Sequence, residues 1–366
     1  MHKEDGPMLN AASDKKIQFI EQNRLARVLL SHTKRKNAIC ESMRADLLIH
    51  YKKWVEETDI YAIVIESADP TMFASGGDLL EIYEAYGQSL DQAVALFKQE
   101  YETIWAIDTY TKPLISLVNG PVMGGGIGLV QYGTHFVAGE NFSWAMPETK
   151  IGLFPDIGIL HLMAQMPGAI GIYLGLTGRS ITRADCYYLN LLEFCIDSDQ
   201  FDTIKQALSE AEPVDPILDG LHQPPQASDL QVMEPVITKV FSHSTVEEIV
   251  EGVKSIEAEH QVWAQEVLAD LDQASPLSLK VTLEAIKRAQ SLSLDQTLEQ
   301  DYVVAQHFIN NSDFIPTIKA KFIDKTSPTF TPNTLEQVSD EMVASFFRPT
   351  DAPKLHLPAR ELGLDK

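Results

Sequence analysis

Pro113-Leu-Ile-Ser-Leu-Val-Asn-Gly-Pro-Val-Met-Gly-Gly-Gly-Ile-Gly128 contains the scheme on which the chain is built. The run Leu114 to Val118 is short, apolar and closed by Asn119-Gly120, which reads as a buried strand ending in a turn. Three successive glycines followed by Ile127, Gly128 and Leu129 then predict the start of a buried helix, with a further strand at His135 to Ala138. Upstream the scheme recurs. Tyr61-Ala-Ile-Val-Ile-Glu66 is a β-branched burst closed by Asp69-Pro70, and after a Gly-rich turn Leu79 to Ala106 carries apolar residues at i, i+3 and i+4. Before it, Ala26-Arg-Val-Leu-Leu30 reads as a strand and Ser42 to Glu57 as a helix. Repeated strand, strand and helix units predict an α/β fold.

Downstream of Pro167 strands become scarce. Ala169 to Leu176, Arg183 to Leu189, Thr203 to Ala211, Val246 to Ala269, Ser278 to Ala289 and Leu294 to Ile309 all carry helical spacing. The expected organisation is a tail over 1–16, an α/β core over 17–212, a Pro-rich linker or long loop over 213–245, a helical region over 246–348 and a second tail over 349–366.

Charge and cysteine content narrow the function classes. The 366 residues carry a net charge of −23, which opposes approach to nucleic acid or an anionic membrane. A small anionic ligand is still admissible, because a few cations at one mouth act within about 8 to 10 Å. Cys40, Cys186 and Cys195 form no CxxC pair and no His-adjacent metal set, so neither a disulfide framework nor a zinc site is expected. The segment Met1 to Lys16 lacks an apolar stretch or an Arg-rich amphipathic pattern, and no run approaches the roughly 20 apolar residues of a membrane span. A cytoplasmic protein is the expectation.

Three segments could hold chemistry. Phe73-Ala-Ser-Gly-Gly-Asp78 is a small-residue turn that lets a ligand approach backbone N–H groups; it fits equally a tight turn capped by Asp78. Asn119 to Gly128 could present further N–H donors to a developing negative oxygen, or could serve close helix packing. Its glycines miss the G-x-G-x-x-G spacing of a dinucleotide site. Met146-Pro-Glu-Thr-Lys-Ile-Gly-Leu-Phe-Pro-Asp156 sets two carboxylates among Ile151, Leu153 and Phe154, where desolvation would raise their pKa values. Taken alone, such a pair is more often a cap and a solvated acid.

In combination these segments resemble the crotonase superfamily, the enoyl-CoA hydratase and isomerase fold, and within it the branch that hydrolyses 3-hydroxyisobutyryl-CoA. The resemblance runs from Leu29 to Pro328, including Lys112-Pro113, Leu176-Thr-Gly178, Ser275-Pro276 and Leu279-Lys280. It implies a ββα superhelix with a mainly helical C-terminal region. It implies an oxyanion hole from the amides of Gly77 and Gly125, and catalytic carboxylates at Glu148 and Asp156. Ala74, Gly76, Asp78, Gly124 and Lys36 would bind substrate, with Lys34-Arg35-Lys36 beside the coenzyme A phosphates. Hydratases carry a second catalytic Glu where this chain has Gly128, and the hydrolase branch has Asp where hydratases have Gly, here Asp156. Thioester hydrolysis in valine breakdown is thus implied, with no metal or other cofactor, coenzyme A being part of the substrate, and with room for a homo-oligomer. The chain departs from the branch at Ile157-Gly158-Ile159-Leu160-His161, where relatives run through glycines, at Pro316-Thr317 and at Phe330. Two rivals stand beside this reading: a hydratase or isomerase using Glu148 alone, and a non-catalytic acyl-CoA-binding protein.

The remaining reactive side chains read as structural. His135 and His161 lie in apolar contexts with no Ser or Cys placed to form a nucleophile pair, and Met43, Met146, Met163 and Met166 read as core fillers.

Overall fold

The computed structural model describes residues 15–359. Its main sheet has six strands, β1 (Ile17–Gln22), β2 (Leu25–Leu30), β3 (Ala62–Ser67), β4 (Leu114–Val118), β6 (His135–Ala138) and β9 (Phe194–Cys195), in that spatial order. β1 is antiparallel to β2 and every later neighbour is parallel. A second sheet holds β5 (Pro121–Met123), β7 (Ser143–Ala145) and β8 (Ile181–Thr182). The chain alternates between the sheets: β4 turns at Asn119-Gly120 into β5, β6 returns to the main sheet and β7 to the second. This is the ββα superhelix the sequence implies. Among the described residues, no helix is long and apolar enough to cross a membrane.

Period-2 alternation gives the main sheet two buried faces. Ile63, Ile65, Leu114 and Val118 face the large core, which extends through α1 (Glu41–Glu56), α2 (Leu79–Gln88) and α3 (Leu90–Asp108). Ala62, Val64, Ile115 and Leu117 point the other way, against α7 (Phe201–Ser209) and α8 (Val214–Leu221). Short helices α4 (Ile159–Met163), α5 (Ile170–Thr177) and α6 (Arg183–Tyr188) lead from the second sheet into a helical region. That region comprises α9 (Asp229–Phe241), α10 (Val246–Lys254), α11 (Gln261–Asp272), α12 (Pro276–Ala289), α13 (Leu294–Asn311), α14 (Phe314–Ile318) and α15 (Asp340–Ser345).

Several expectations are corrected. The 213–245 segment is not a linker: α8 and the whole of α9 occupy it, leaving Pro213 and residues 222–228 and 242–245 outside helices. Its prolines mislead because Pro213 is an N-cap and Pro216 sits in the first helical turn, where a missing N–H costs no bond. Val214 and Leu218, one turn apart, bury themselves under the sheet, which gives α8 its hold. The single helix expected over Leu79 to Ala106 is two, because Ser89 adopts extended backbone and its hydroxyl caps α3 by accepting from Gln92 N. Val246 to Ala269 is likewise divided by a short 3-10 turn between α10 and α11. The glycine run forms a 3-10 turn over Gly124–Leu129 rather than an α-helix. The 349–366 tail, where described, is docked along α3: Trp105 Nε1 donates to Pro358 O at 2.8 Å and His356 N to Glu102 Oε1 at 2.8 Å. The 1–16 tail lies outside the described residues except for Lys15 and Lys16.

Candidate active site

The Phe73–Asp78 turn runs from the end of β3 into α2, and an isolated bridge joins Gly77 to Ile39. That bridge is made by Ile39 N donating to Gly76 O and Asp78 N donating to Ile39 O, each at 2.9 Å. It leaves the Gly77 amide itself unspent. Gly76 can take this path because it lacks a Cβ; its φ is +104°. Ala74 is fully buried, its carbonyl accepting from Met123 N at 3.1 Å, so the first glycine turn is stitched to the second.

The second turn lies against the first. A methyl group on Gly125 would fall 3.2 Å from Gly77 N and 2.3 Å from Glu100 Oε1, and one on Gly124 would fall 2.7 Å from Glu148 Oε1. The two glycine turns and two carboxylates therefore share one small space that any side chain at 124 or 125 would fill. The sequence-predicted pair, Gly77 and Gly125, is brought together with Glu148.

Glu148 opens a 3-10 turn after Pro147 and is 6% exposed. Its Oε2 has no hydrogen-bond partner among the described residues. Burial first, then the nearby charges of Asp156 and Glu100, push its carboxyl well above the usual range. Asp156 is buried too; Tyr101 OH donates to its Oδ2 at 2.7 Å. Burial and the Glu100 charge raise its pKa to about 8 despite that bond. Both predicted carboxylates belong to one electrostatic unit.

Two residues expected to bind substrate lie in different settings. Asp78 is 4% exposed and spent on structure: its Oδ1 caps α2 by accepting from Leu80 N and Glu81 N, and it pairs with Arg35 at 2.8 Å. The capping alternative thus describes Asp78. Lys36 lies on the exposed rim with left-handed backbone, its Nζ 3.2 Å from Thr71 Oγ1, and its carbonyl accepts from Ser75 N at 3.0 Å. The basic run is thereby attached to the first glycine turn. Gly128 does not open on the carboxylates; a methyl there would lie 2.9 Å from Ile104 Cδ1, an apolar wall with no room for an acid.

Sequence reasoning missed Glu100. It is 8% exposed on α3, beside both glycine turns, with Arg44 Nη1 at 3.9 Å as its cation. Burial raises its pKa, partly offset by Arg44. The available signal was its position in an apolar stripe, Phe97, Tyr101 and Ile104, where a carboxylate is out of place on a helix face turned inward. The histidines resolve as structural: His135 pairs with Asp215 at 3.0 Å and His161 Nδ1 lies 2.9 Å from Leu292 O. A cavity of about 780 Å³ between β1 and α1, lined by Lys16, Phe19, Ser42, Asp46 and His50 among others, contains none of the site residues. Among the described residues, no group of three His, Cys, Asp or Glu side chains is arranged to hold a metal ion.

Comparison with known proteins places this geometry. The enoyl-CoA hydratase/isomerase family model matches residues 25–347. The chain belongs to the enoyl-CoA hydratase/isomerase family. It is 31% identical to the mitochondrial 3-hydroxyisobutyryl-CoA hydrolase of Danio rerio, over 96% of this chain and 94% of that one. That relative's name places it in mitochondria, so the cytoplasmic expectation gains no support. Among solved structures of the family, a carnitinyl-CoA dehydratase from Mycobacterium thermoresistibile is 28% identical with a TM-score of 0.88, covering 94% of this chain and 99% of that one. An enoyl-CoA hydratase from Rhodobacter sphaeroides 2.4.1 is also 28% identical, with a TM-score of 0.86, covering 93% of this chain and all of that one. Solved structures named dehydratase and hydratase thus share this backbone while the sequence relative is named a hydrolase, and the side chains must decide between them.

Proposed function

We propose that the chain is an acyl-CoA thioester hydrolase that converts 3-hydroxyisobutyryl-CoA to 3-hydroxyisobutyrate and coenzyme A, as in valine breakdown. One observation supports this above the rest: Glu148 and Asp156 are buried as a pair beside the glycine turns, while the Gly128 position is walled off by Ile104. The curated relative adds weight through its name.

The chemistry follows from the groups. The Gly77 and Gly125 amides receive the thioester oxygen and stabilise the charge that grows on it, a contact worth about 3 to 4 kcal/mol per donor where one has been removed elsewhere. Glu148 either attacks the carbonyl carbon, giving a mixed anhydride that water then opens, or takes a proton from the attacking water; both routes release the thiol and the carboxylic acid. Asp156, oriented by Tyr101, meets the 3-hydroxyl. Glu100, beside Gly125, adds its charge to the burial and the Asp156 charge that raise the Glu148 pKa, so Glu148 acts in its ionised form after giving its proton up to solvent. Water and this chain's side chains suffice for these steps, with coenzyme A entering as part of the substrate. The net charge of −23 favours a small ligand met by Lys34 to Lys36 over a polyanion. The three free thiols suit a reducing compartment, cytoplasm and mitochondrial matrix alike.

Glu100 also favours a second reading. Together with Glu148 it makes two carboxylates near the oxyanion hole, which a hydratase needs, and the solved relatives carry hydratase and dehydratase names. Thiol release measured over a panel of short acyl-CoA and 3-hydroxyacyl-CoA thioesters, beside hydration of crotonyl-CoA, separates them. Release from 3-hydroxyisobutyryl-CoA exceeding every hydration rate is the expected result; hydration exceeding release overturns the hydrolase reading.

A further inference from the structure

Asp156 stands at the head of an unusual turn. Ile157, a β-branched residue, has φ of +59°, in the left-handed region such side chains avoid, and Gly158 follows at +74°. Ile157 is fully buried, and its side chain comes within 3.7 Å of where a Gly128 methyl would be. A backbone held this way needs outside support. Two groups supply it. Tyr132 OH donates to Ile157 O at 2.9 Å, and Asp301, on α13 and 143 residues further along the chain, accepts from Gly158 N through Oδ2 at 2.7 Å.

Asp301 is the odder of the two. It is fully buried, it has no cation paired to it among the described residues, and its other oxygen, Oδ1, has no hydrogen-bond partner there. An unpaired acid is a costly group to bury between packed helices. Its one bond goes to the amide two residues after Asp156, and none of the steps described above uses it.

We propose that Asp301 is a positioning residue for Asp156: its carboxyl oxygen clamps Gly158 N–H, keeps Ile157 in the left-handed conformation, and so fixes where the Asp156 carboxyl meets the acyl group. The acceptor atom is what matters, so an amide should replace it. This inference rests on Asp156 meeting the substrate's 3-hydroxyl, and its test reports on the two separately.

The experiment compares wild type with Asp301→Asn and Asp301→Ala, with thiol release from 3-hydroxyisobutyryl-CoA and isobutyryl-CoA normalised to folded enzyme. Asp301→Asn, which keeps an oxygen for Gly158, should stay within about threefold of wild type on both. Asp301→Ala should lose about tenfold more kcat/KM on the hydroxylated thioester than on the plain one, as expected of a misplaced hydrogen-bonding partner. A merely structural role would lower both thioesters by one factor and leave their ratio unchanged; that result overturns the proposal. So does Asp301→Asn losing as much as Asp301→Ala. If Asp301→Ala does not fold, Asp301→Ser, one bond shorter, takes its place with the same expectation. Should wild type release thiol from neither thioester, the hydrolase reading fails by itself. Calorimetric binding of the same two thioesters then decides Asp301: a preference for the hydroxylated ligand lost in the alanine variant and kept in the asparagine variant supports it, and an unchanged ratio overturns it.

Discussion

Two acid clusters lie on either side of the 146–156 loop and obey opposite rules. On one side Asp270, 18% exposed, sits between Lys150 Nζ at 2.8 Å and Arg179 Nε at 2.6 Å, with Glu266 completing the network at 3.0 Å. On the other side Glu148, two residues before Lys150, and Asp156, six after it, are buried with Glu100, and the sole cation paired with any of them among the described residues is Arg44, at 3.9 Å from Glu100. The first cluster is partly exposed, and its two acids are matched by two cations. The second is dry and short of positive charge, which raises the pKa of each of its acids, that of Asp156 to about 8. In a chain with 52 acidic residues the candidate catalytic ones are marked by the cations withheld from them.

The sharpest way to break this contrast is Glu148→Gln, which keeps the shape of the side chain and removes its ability to ionise, and with it any role as nucleophile or base. Thiol release should fall at least about 100-fold, roughly 2.7 kcal/mol of barrier, while calorimetry still detects acyl-CoA binding; retention of more than about a tenth of wild-type kcat would remove Glu148 from its role. Asp156→Asn and Asp156→Gly come next. A buried bond to a charged partner is worth about 1.5 to 3 kcal/mol, so in assays above pH 8, where Asp156 is ionised, both should lose on the order of 10 to 150-fold in kcat/KM on 3-hydroxyisobutyryl-CoA and less on isobutyryl-CoA. Equal losses on the two would make Asp156 a general electrostatic group.

The dry cluster also predicts a pH signature. Asp156 has an ordinary value of 3.8 and a folded value of about 8, so between these the folded state holds a proton that the unfolded state has released. Wild-type stability should therefore fall relative to Asp156→Asn as pH rises from about 4 to about 8, and the gap should level off above that. Chemical denaturation at pH 5, 7 and 9 measures it; a gap that is flat or widens in the opposite sense shows Asp156 to be ionised across the range. The smallest effect belongs to the wet cluster: Asp270→Asn should cost about 1 kcal/mol or less of stability and leave thiol release within about twofold of wild type, as paired melting and rate measurements would show.

How much of this could be read in advance follows the same division between local and long-range information. Strands such as Leu114 to Val118 and Ile63 to Ile65 announce themselves because their neighbours in sequence are also their packing pattern. The glycine turns are legible because only residues without side chains tolerate the crowding at 124 and 125. β1 gave no such signal; its alternation is broken at Ile20 and Glu21, and its identity rests on pairing with β2 across a two-residue turn in which Asn23 takes φ of +53°. Glu100 was hidden among many acids, and only its place on the inward stripe of α3 distinguishes it. Asp301 could not be found at all from spacing, since its partner lies 143 residues away. The prolines of 213–225 looked like punctuation because their meaning depends on which helical turn they occupy.

The layer formed by α7 and α8 has a consequence for how the molecule comes into being. Val64, Ile115 and Leu117 are covered on the outer side of the sheet by Ile204, Leu208, Val214 and Leu218, with Ile196 beside them. A ribosome adding about 5 to 20 residues per second finishes β4 roughly 5 to 20 seconds before it delivers α8. Throughout that interval the nascent sheet presents an oily flank to solvent, and a message truncated between residues 120 and 200 would leave it bare for good. Shortened chains of that kind should accumulate in inclusion bodies or on holdase chaperones, whereas chains ended just after Leu221 should leave the sheet covered.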